Sequence, residues 1–261
     1  MNLAAYLARL NYSGRTEPTL ETLNALHLAH LYTVSFENLD IHLGCRIVLD
    51  EEKLFDKIVT QRRGGYCYEL NGLFAALLRE LGFDVSMLSA GVYEVEHNRF
   101  SPDTDHMTLL VRLDEPWLAD VGFGDSFREP LRLNESRDQT QNGVSYRLVC
   151  DGNEWRMMER GSDGKWTDGY LFTLHPRRLL DFTFGNHYQQ TSPDSHFTQK
   201  RVCSRATPEG RVTLSNMKLI ITANGRREER LLANEAEYRA ALNEHFGITL
   251  PAEAAFKDPV G

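Results

Sequence analysis

The 261-residue sequence predicts an α+β fold in which helices come first, short strands follow and a mixed unit closes the chain. Three observations carry this reading. Ahead of residue 84 apolar residues recur at helical spacing, most clearly Leu70, Leu73, Phe74, Leu77, Leu78 and Leu81. From about Val85 the pattern changes to short strand-like runs parted by turn pairs such as Asn142-Gly143 and Asp151-Gly152. Beyond residue 200 four further strand-like runs lead into one capped helix.

Taken in order, Asn2 caps a helix through Leu10, which Tyr12-Ser13-Gly14 breaks. Pro18 and Thr19 open a second helix with Leu20, Leu23, Leu26, Leu28 and Leu31 as its apolar set, because proline is tolerated in a first turn. His27 and His30 lie three apart on it, as core or surface histidines more often than as ligands. The segment FENLDIHLG reads as an irregular crossing that ends at Gly44. Asp50 caps a third helix with Leu54, Phe55, Ile58 and Val59 inward, and a fourth, partly buried, runs from Cys67 to a stop at Gly82. The runs VSMLSAGVYEV, HMTLLVRL, PWLADV, VSYRLVC and EWRMMER read as antiparallel strands of a barrel or a sandwich. HPRRLLDFTFGNHY, from His175, reads as a connecting helix with Leu179, Leu180 and Phe182 inward. The last strands, KRVCSRAT, GRVTLSN, KLIITAN and REERLL, are joined by hairpin turns at Pro208-Glu209-Gly210 and Asn224-Gly225. Asn234 and Glu237 form a capping-box pattern for a final helix, whose inner face is Tyr238, Ala241, Leu242 and Phe246.

The net charge of −8 argues against nucleic acid as a partner, since phosphate binding needs a basic face. No window approaches the length of a membrane helix, and MNLAAYLARLNYSG is too short and interrupted for a signal segment. Cys45, Cys67, Cys150 and Cys203 show no C-x-x-C pair, so they read as reduced thiols of a cytoplasmic protein. No metal-type spacing of His and Cys is present.

The most informative stretch is QRRGGYCYELNGLF, residues 61–74. It sets Cys67 at a helix start, where unpaired N–H groups and the helix dipole favour a thiolate. Gly64 and Gly65 permit a tight backbone and close approach of a substrate. A free cysteine is most often an inert core residue, and this setting argues otherwise. A cysteine nucleophile needs a base, and the base needs an acceptor to fix its tautomer. His106, at the start of a strand-like run, and Asp120, at the end of the next, can supply these if the two strands are neighbours. Singly, a strand-start histidine and a turn aspartate are commonplace. Phe36 and Phe123 lie in irregular segments rather than on a periodic face, although an aromatic is more often core than binding wall. There is no G-x-G-x-x-G and no P-loop.

The blocks YLARLNYSG, LHLAHLYTVSFENLD, RRGGYCYELNGLF, DHMTLLV, WLADVGFGD and ALNEHFGI run from residue 6 to 248, and together they resemble the arylamine N-acetyltransferases. The resemblance implies a helical bundle over 1–84 carrying the cysteine, an antiparallel β-barrel over 85–190 carrying the histidine and aspartate, and an α/β lid over 191–261. It implies a papain-like Cys67-His106-Asp120 triad that moves acetyl from acetyl-CoA to an arylamine, a hydrazine or an N-hydroxyarylamine in ping-pong fashion. No permanently bound cofactor is expected. Partners are the donor and a small amine acceptor, and the protein is a monomer or homodimer. Arg63 is similar to an arginine that pairs with the glutamate of FENLD, here Glu37, and steadies the site loop. Phe36, Phe123 and Phe197 are expected to line the acceptor pocket, and Thr104, Asp105 and Gly124 to contact the CoA arm or phosphates. The chain departs at Tyr68, where phenylalanine is common, and at Val34-Ser35, which replaces Ile-Pro. It lacks the extra loop of animal members and so looks bacterial. A thiol hydrolase or transglutaminase-like enzyme, a natural-product amide synthase and a silent binding protein on the same fold are the alternatives.

Overall fold

The helix Cys67–Glu80 lies at the centre of the first third of the chain. The computed structural model, which describes residues 1–161 and 163–257, buries every residue from Cys67 to Leu78. The sequence reading of a partly buried helix is thereby corrected. The face opposite the leucines carries Asn71, Gly72, Ala75 and Ala76, small enough for neighbouring chain to close over it. Gly82 ends the helix at φ 88°, in the left-handed region that a side chain avoids.

Helices Leu3–Arg9, Leu20–Thr33, Leu39–Leu43 and Glu51–Phe55, the last running on as a π-turn Asp56–Thr60, pack around this axis. Asn2, Thr19 and Asp50 cap three of them, each side chain accepting from the N–H three residues on, at 3.1, 3.2 and 3.1 Å. The stretch FENLDIHLG is not irregular. It forms a two-residue strand Phe36–Glu37 and then the helix Leu39–Leu43, with Gly44 in the left-handed region at φ 70°. The strand's partners are Ser204 and Cys203, far along the chain, so no local pattern could announce it.

Nine strands form one antiparallel sheet: Asp84–Glu94, Arg99–Phe100, His106–Arg112, Pro116–Ala119, Leu131–Arg132, Gln139–Gln141, Val144–Asp151, Glu154–Arg160 and Trp166–Arg177. Leu131 near one end of the strand order and Tyr146 near the other share one apolar cluster. The sheet is therefore curled into a nearly closed barrel, which resolves the barrel-or-sandwich alternative. The connecting helix expected from His175 is also corrected. The last strand runs through His175 to Arg177, and a 3₁₀ turn Leu179–Phe182 then precedes the helix Thr183–Thr191. Phe182 is buried as expected, but Leu180 is 69% exposed. Pro176 is accommodated because the strand's register shifts between Phe172 and Pro176.

Strands Val202–Thr207, Gly210–Ser215, Lys218–Ala223 and Arg226–Leu231 form a second sheet with Phe36–Glu37 at its edge, covered by the helix Glu235–Phe246. Asn224 and Gly225, at φ 52° and 77°, make the left-handed pair that a two-residue hairpin turn requires. Asn234 caps the final helix by accepting from the Glu237 N–H at 3.1 Å, while Glu237 reaches back one residue further than a capping box, to the Ala233 N–H. The last four residues of the expected lid, 258–261, lie outside the described residues. Buried apolar side chains gather in three clusters, one centred on the Cys67 helix, one inside the barrel and one beneath the final helix. Among the described residues no helix is long and apolar enough to cross a membrane.

Candidate active site

The loop that delivers Cys67 is held by a buried ionic cluster. Arg63 Nε donates to Glu37 Oε1 at 2.9 Å and Arg63 Nη2 to Asp40 Oδ1 at 2.8 Å. Glu37 also accepts from the N–H groups of Gly64 and Leu39. Lys57 Nζ reaches Asp40 at 2.8 Å and Glu69 at 2.7 Å, and Glu69 accepts from the Tyr66 N–H, just ahead of the cysteine. Two cations thus serve three carboxylates. Burial pushes the Glu69 carboxyl up to about 7 against the pull of Lys57. The Arg63–Glu37 pair is the one the resemblance implies, and Asp40, Lys57 and Glu69 extend it.

Cys67 opens its helix, 4% exposed, at one wall of a cleft of about 410 Å³. His106 begins one strand and Asp120 follows the end of its neighbour. The register Leu109↔Ala119 places them diagonally across the ladder. His106 Nε2 and Asp120 Oδ2 are 2.6 Å apart, which leaves Nδ1 for the cysteine. The other carboxylate oxygen accepts from Asn71 Nδ2 at 2.8 Å and from the Gly122 N–H at 2.9 Å. Burial disfavours a charged His106, but Asp120 and Cys67 outweigh it and raise the imidazolium to about 10. Asp120 is likewise penalised by burial, yet the facing imidazolium and its hydrogen bonds hold it below the usual carboxylate range. Burial pushes the Cys67 thiol up, and the hydrogen bond and charge of His106 pull it back.

Gly122 shows how tightly the elements meet: a Cβ there would stand 2.8 Å from Cys67 Cα and from Asn71 Nδ2. Asn71 also takes the Val121 N–H and gives a second bond to the Met107 carbonyl, tying the Cys67 helix to both strands. It lies four residues after Cys67 on the same helical face, a spacing that was available in the sequence and not used.

Phe36, Phe123 and Phe197 line the cleft together with Cys67, His106 and Asp105. Phe36 and Phe197 rings lie 6.0 Å apart, and Phe123 meets His106 edge-on at 5.1 Å. Thr104 and Gly124 are chain neighbours of lining residues rather than lining residues themselves. The Thr104 carbonyl accepts from the Tyr68 hydroxyl at 2.7 Å, and the Gly124 carbonyl from Arg211 at 2.7 Å. Both Asp105 oxygens already accept, from Ser101 at 2.7 Å and Gln189 at 2.5 Å. A carboxylate so placed offers no donor to a phosphate and repels one. Tyr68, where the resemblance implies phenylalanine, binds the carbonyls of Thr104 and Asp105 and so steadies the approach to His106.

Residues 19–255 match the family model described as N-acetyltransferase. The chain is 39% identical to arylamine N-acetyltransferase of Escherichia coli K12, over 93% of this chain and 87% of that one. It is 38% identical to the arylamine N-acetyltransferase / N-hydroxyarylamine O-acetyltransferase of Salmonella typhimurium, over 94% and 88%. Its fold is similar to that of the Mycobacterium marinum arylamine N-acetyltransferase in complex with CoA, with a TM-score of 0.87 and 35% identity over 95% and 93% of the two chains. With cysteine, histidine and aspartate gathered at one cleft between helix and barrel, and with this likeness along nearly the whole sequence, the chain belongs to the arylamine N-acetyltransferase family.

Proposed function

We propose that the protein moves the acetyl group of acetyl-CoA to the nitrogen of arylamines and hydrazines, and to the oxygen of N-hydroxyarylamines, through an acetyl-Cys67 intermediate. The observation that carries this is the Cys67–His106–Asp120 arrangement, with the 2.6 Å His106–Asp120 contact, opening into a cleft walled by three phenylalanines. Cys67 acts as a thiolate facing the His106 imidazolium. It attacks the thioester carbonyl, a new S–C bond forms, and the CoA sulfur leaves with the proton from His106. The amine then attacks the acetyl-cysteine, gives its proton to His106 and restores the thiolate. The first-turn N–H groups of the Cys67 helix are the donors for the oxyanion of each tetrahedral intermediate. Phe36, Phe123 and Phe197 hold a flat acceptor. Asp105 keeps phosphates out, so only the neutral pantetheine arm passes Thr104, Asp105 and Gly124. Arg63 and Glu37 fix the loop rather than take part in the chemistry.

We place the division at a bundle over 1–84, a barrel over 85–190 and a lid from 191 onward. The cluster inside the barrel lies wholly within its stretch, while the cluster of the Cys67 helix is shared with strand residues such as Val85 and Leu109, and the one beneath the final helix with Leu39. All the groups used lie within one chain, so a monomer or a homodimer in the cytoplasm serves equally. Mixing the protein with acetyl-CoA alone should add one acetyl group to Cys67, read by intact and peptide mass spectrometry. Double-reciprocal plots at several acceptor concentrations should be parallel. Intersecting lines would remove the covalent step, and absence of acylation alongside amide hydrolysis would move the protein to a thiol hydrolase.

A further inference from the structure

His27 is fully buried in the middle of the helix Leu20–Thr33, where a leucine would pack without polar cost. Its Nε2 accepts a hydrogen bond from the backbone N–H of Asp120 at 3.1 Å. A ring nitrogen that accepts carries no proton. The single N–H of the neutral ring is therefore at Nδ1, and it donates to the Arg128 carbonyl at 2.7 Å. Phe127 stacks on the ring at 5.9 Å and Phe74 meets it edge-on at 6.1 Å, which fixes the ring plane. Asp120 and Arg128 are the two ends of the segment that carries Gly122 and Phe123. One rigid ring, accepting on one side and donating on the other, closes the base of that loop.

We propose that His27 is a positioning residue for acyl transfer: by anchoring the Asp120 backbone it holds that carboxylate in the orientation that meets His106. This rests on the reading of Asp120 as the partner of His106. Burial pulls the His27 imidazolium down to about 4 against the Arg128 carbonyl and the Asp120 charge, so the ring stays neutral and does not compete with His106 for the carboxylate. Asn71 and the Gly122 N–H hold the Asp120 side chain, and His27 holds the main chain from which it hangs.

Two isosteric variants separate positioning from packing. Asparagine ends where Nδ1 lies, so His27→Asn keeps the bond to Arg128 and drops the bond to Asp120. Glutamine reaches the place of Nε2, so His27→Gln keeps the bond to Asp120. His27→Asn should lower kcat roughly 10- to 100-fold, the scale found for residues that back up metal-bound histidines, with a smaller change in acceptor KM. A less well oriented Asp120 supports the imidazolium less, so less of Cys67 is held as thiolate beside it. The neutral-pH plateau of Cys67 alkylation by iodoacetamide should fall several-fold in that variant, with reactivity rising only where an ordinary thiol ionises. His27→Gln should recover most of the kcat and the wild-type alkylation profile. Losses that are equal in both variants and follow their loss of Tm, with an unchanged alkylation profile, would leave His27 a packing residue and overturn the proposal. An inactive Asp120→Asn beside two fully active His27 variants would sink the positioning role alone. A fully active Asp120→Asn would sink the reading beneath it.

Discussion

Cys67 and Cys203 are both buried, and burial raises both thiols, yet the two regions around them are built for opposite ends. Cys203 lies in the strand Val202–Thr207 of the second sheet, beneath the final helix, and the charge of Glu37 raises its thiol further. Cys67 stands at a helix start, at the wall of the cleft, and His106 pulls against the cost of burial. What separates the proposed nucleophile from a core residue is a partner that shares the proton and an opening to the cleft, both supplied by elements distant in sequence.

The sharpest way to break that contrast is Asp120→Asn. It keeps the shape of the side chain, removes its charge and can reverse the His106 tautomer. Acetyl transfer should fall about 10³-fold or more, read as kcat/KM with the fold checked by circular dichroism. A loss under about tenfold would reduce Asp120 to a turn residue and bring Cys67 closer to Cys203 in character. Arg63→Met tests the ionic cluster below the nucleophile. It leaves the buried Glu37 without a guanidinium and the half-buried Asp40 with Lys57 alone, and urea unfolding should show a loss of about 3 kcal/mol. Alkylation of Cys67 should slow in the surviving folded protein; an unchanged midpoint would mean that Lys57 alone carries the cluster. The smallest effect belongs to Cys203→Ala. It should cost about 1 kcal/mol through the small void it leaves, with kcat unchanged. A loss of acetyl transfer in that variant would show that the core beneath the final helix acts on the site and that the contrast is drawn too sharply.

The helix of Cys67 was legible because its leucines, its glycine stop and its lead-in are all local. The register of His106 against Asp120 was legible only as a possibility of neighbouring strands, made specific by the resemblance. The strand Phe36–Glu37 escapes a sequence reading because its partners lie beyond the entire barrel, and two residues carry no period. Leu180 was misread because a helical stripe was assumed where the chain continues as a strand and then turns. Asn71 and His27 were legible as residues and not as functions. Their hydrogen bonds go mainly to backbone groups of segments distant in sequence, and hydrophobic patterning carries no information on those.

The edge strand Phe36–Glu37 also sets an order of events during synthesis. It pairs on one side with Cys203 and Ser204, and through Phe36 it bridges to Gly65 beside the nucleophile loop. A growing chain that has left the ribosome only as far as the barrel already contains Cys67, His106 and Asp120, but it has neither the strand that steadies Phe36 nor the ring of Phe197 opposite it. The proposed acceptor wall is completed only when the last third of the polypeptide has emerged and its first hairpin has formed. Until then the nascent protein holds Cys67 and His106 without the ring pair that, on the proposed reading, seats an amine.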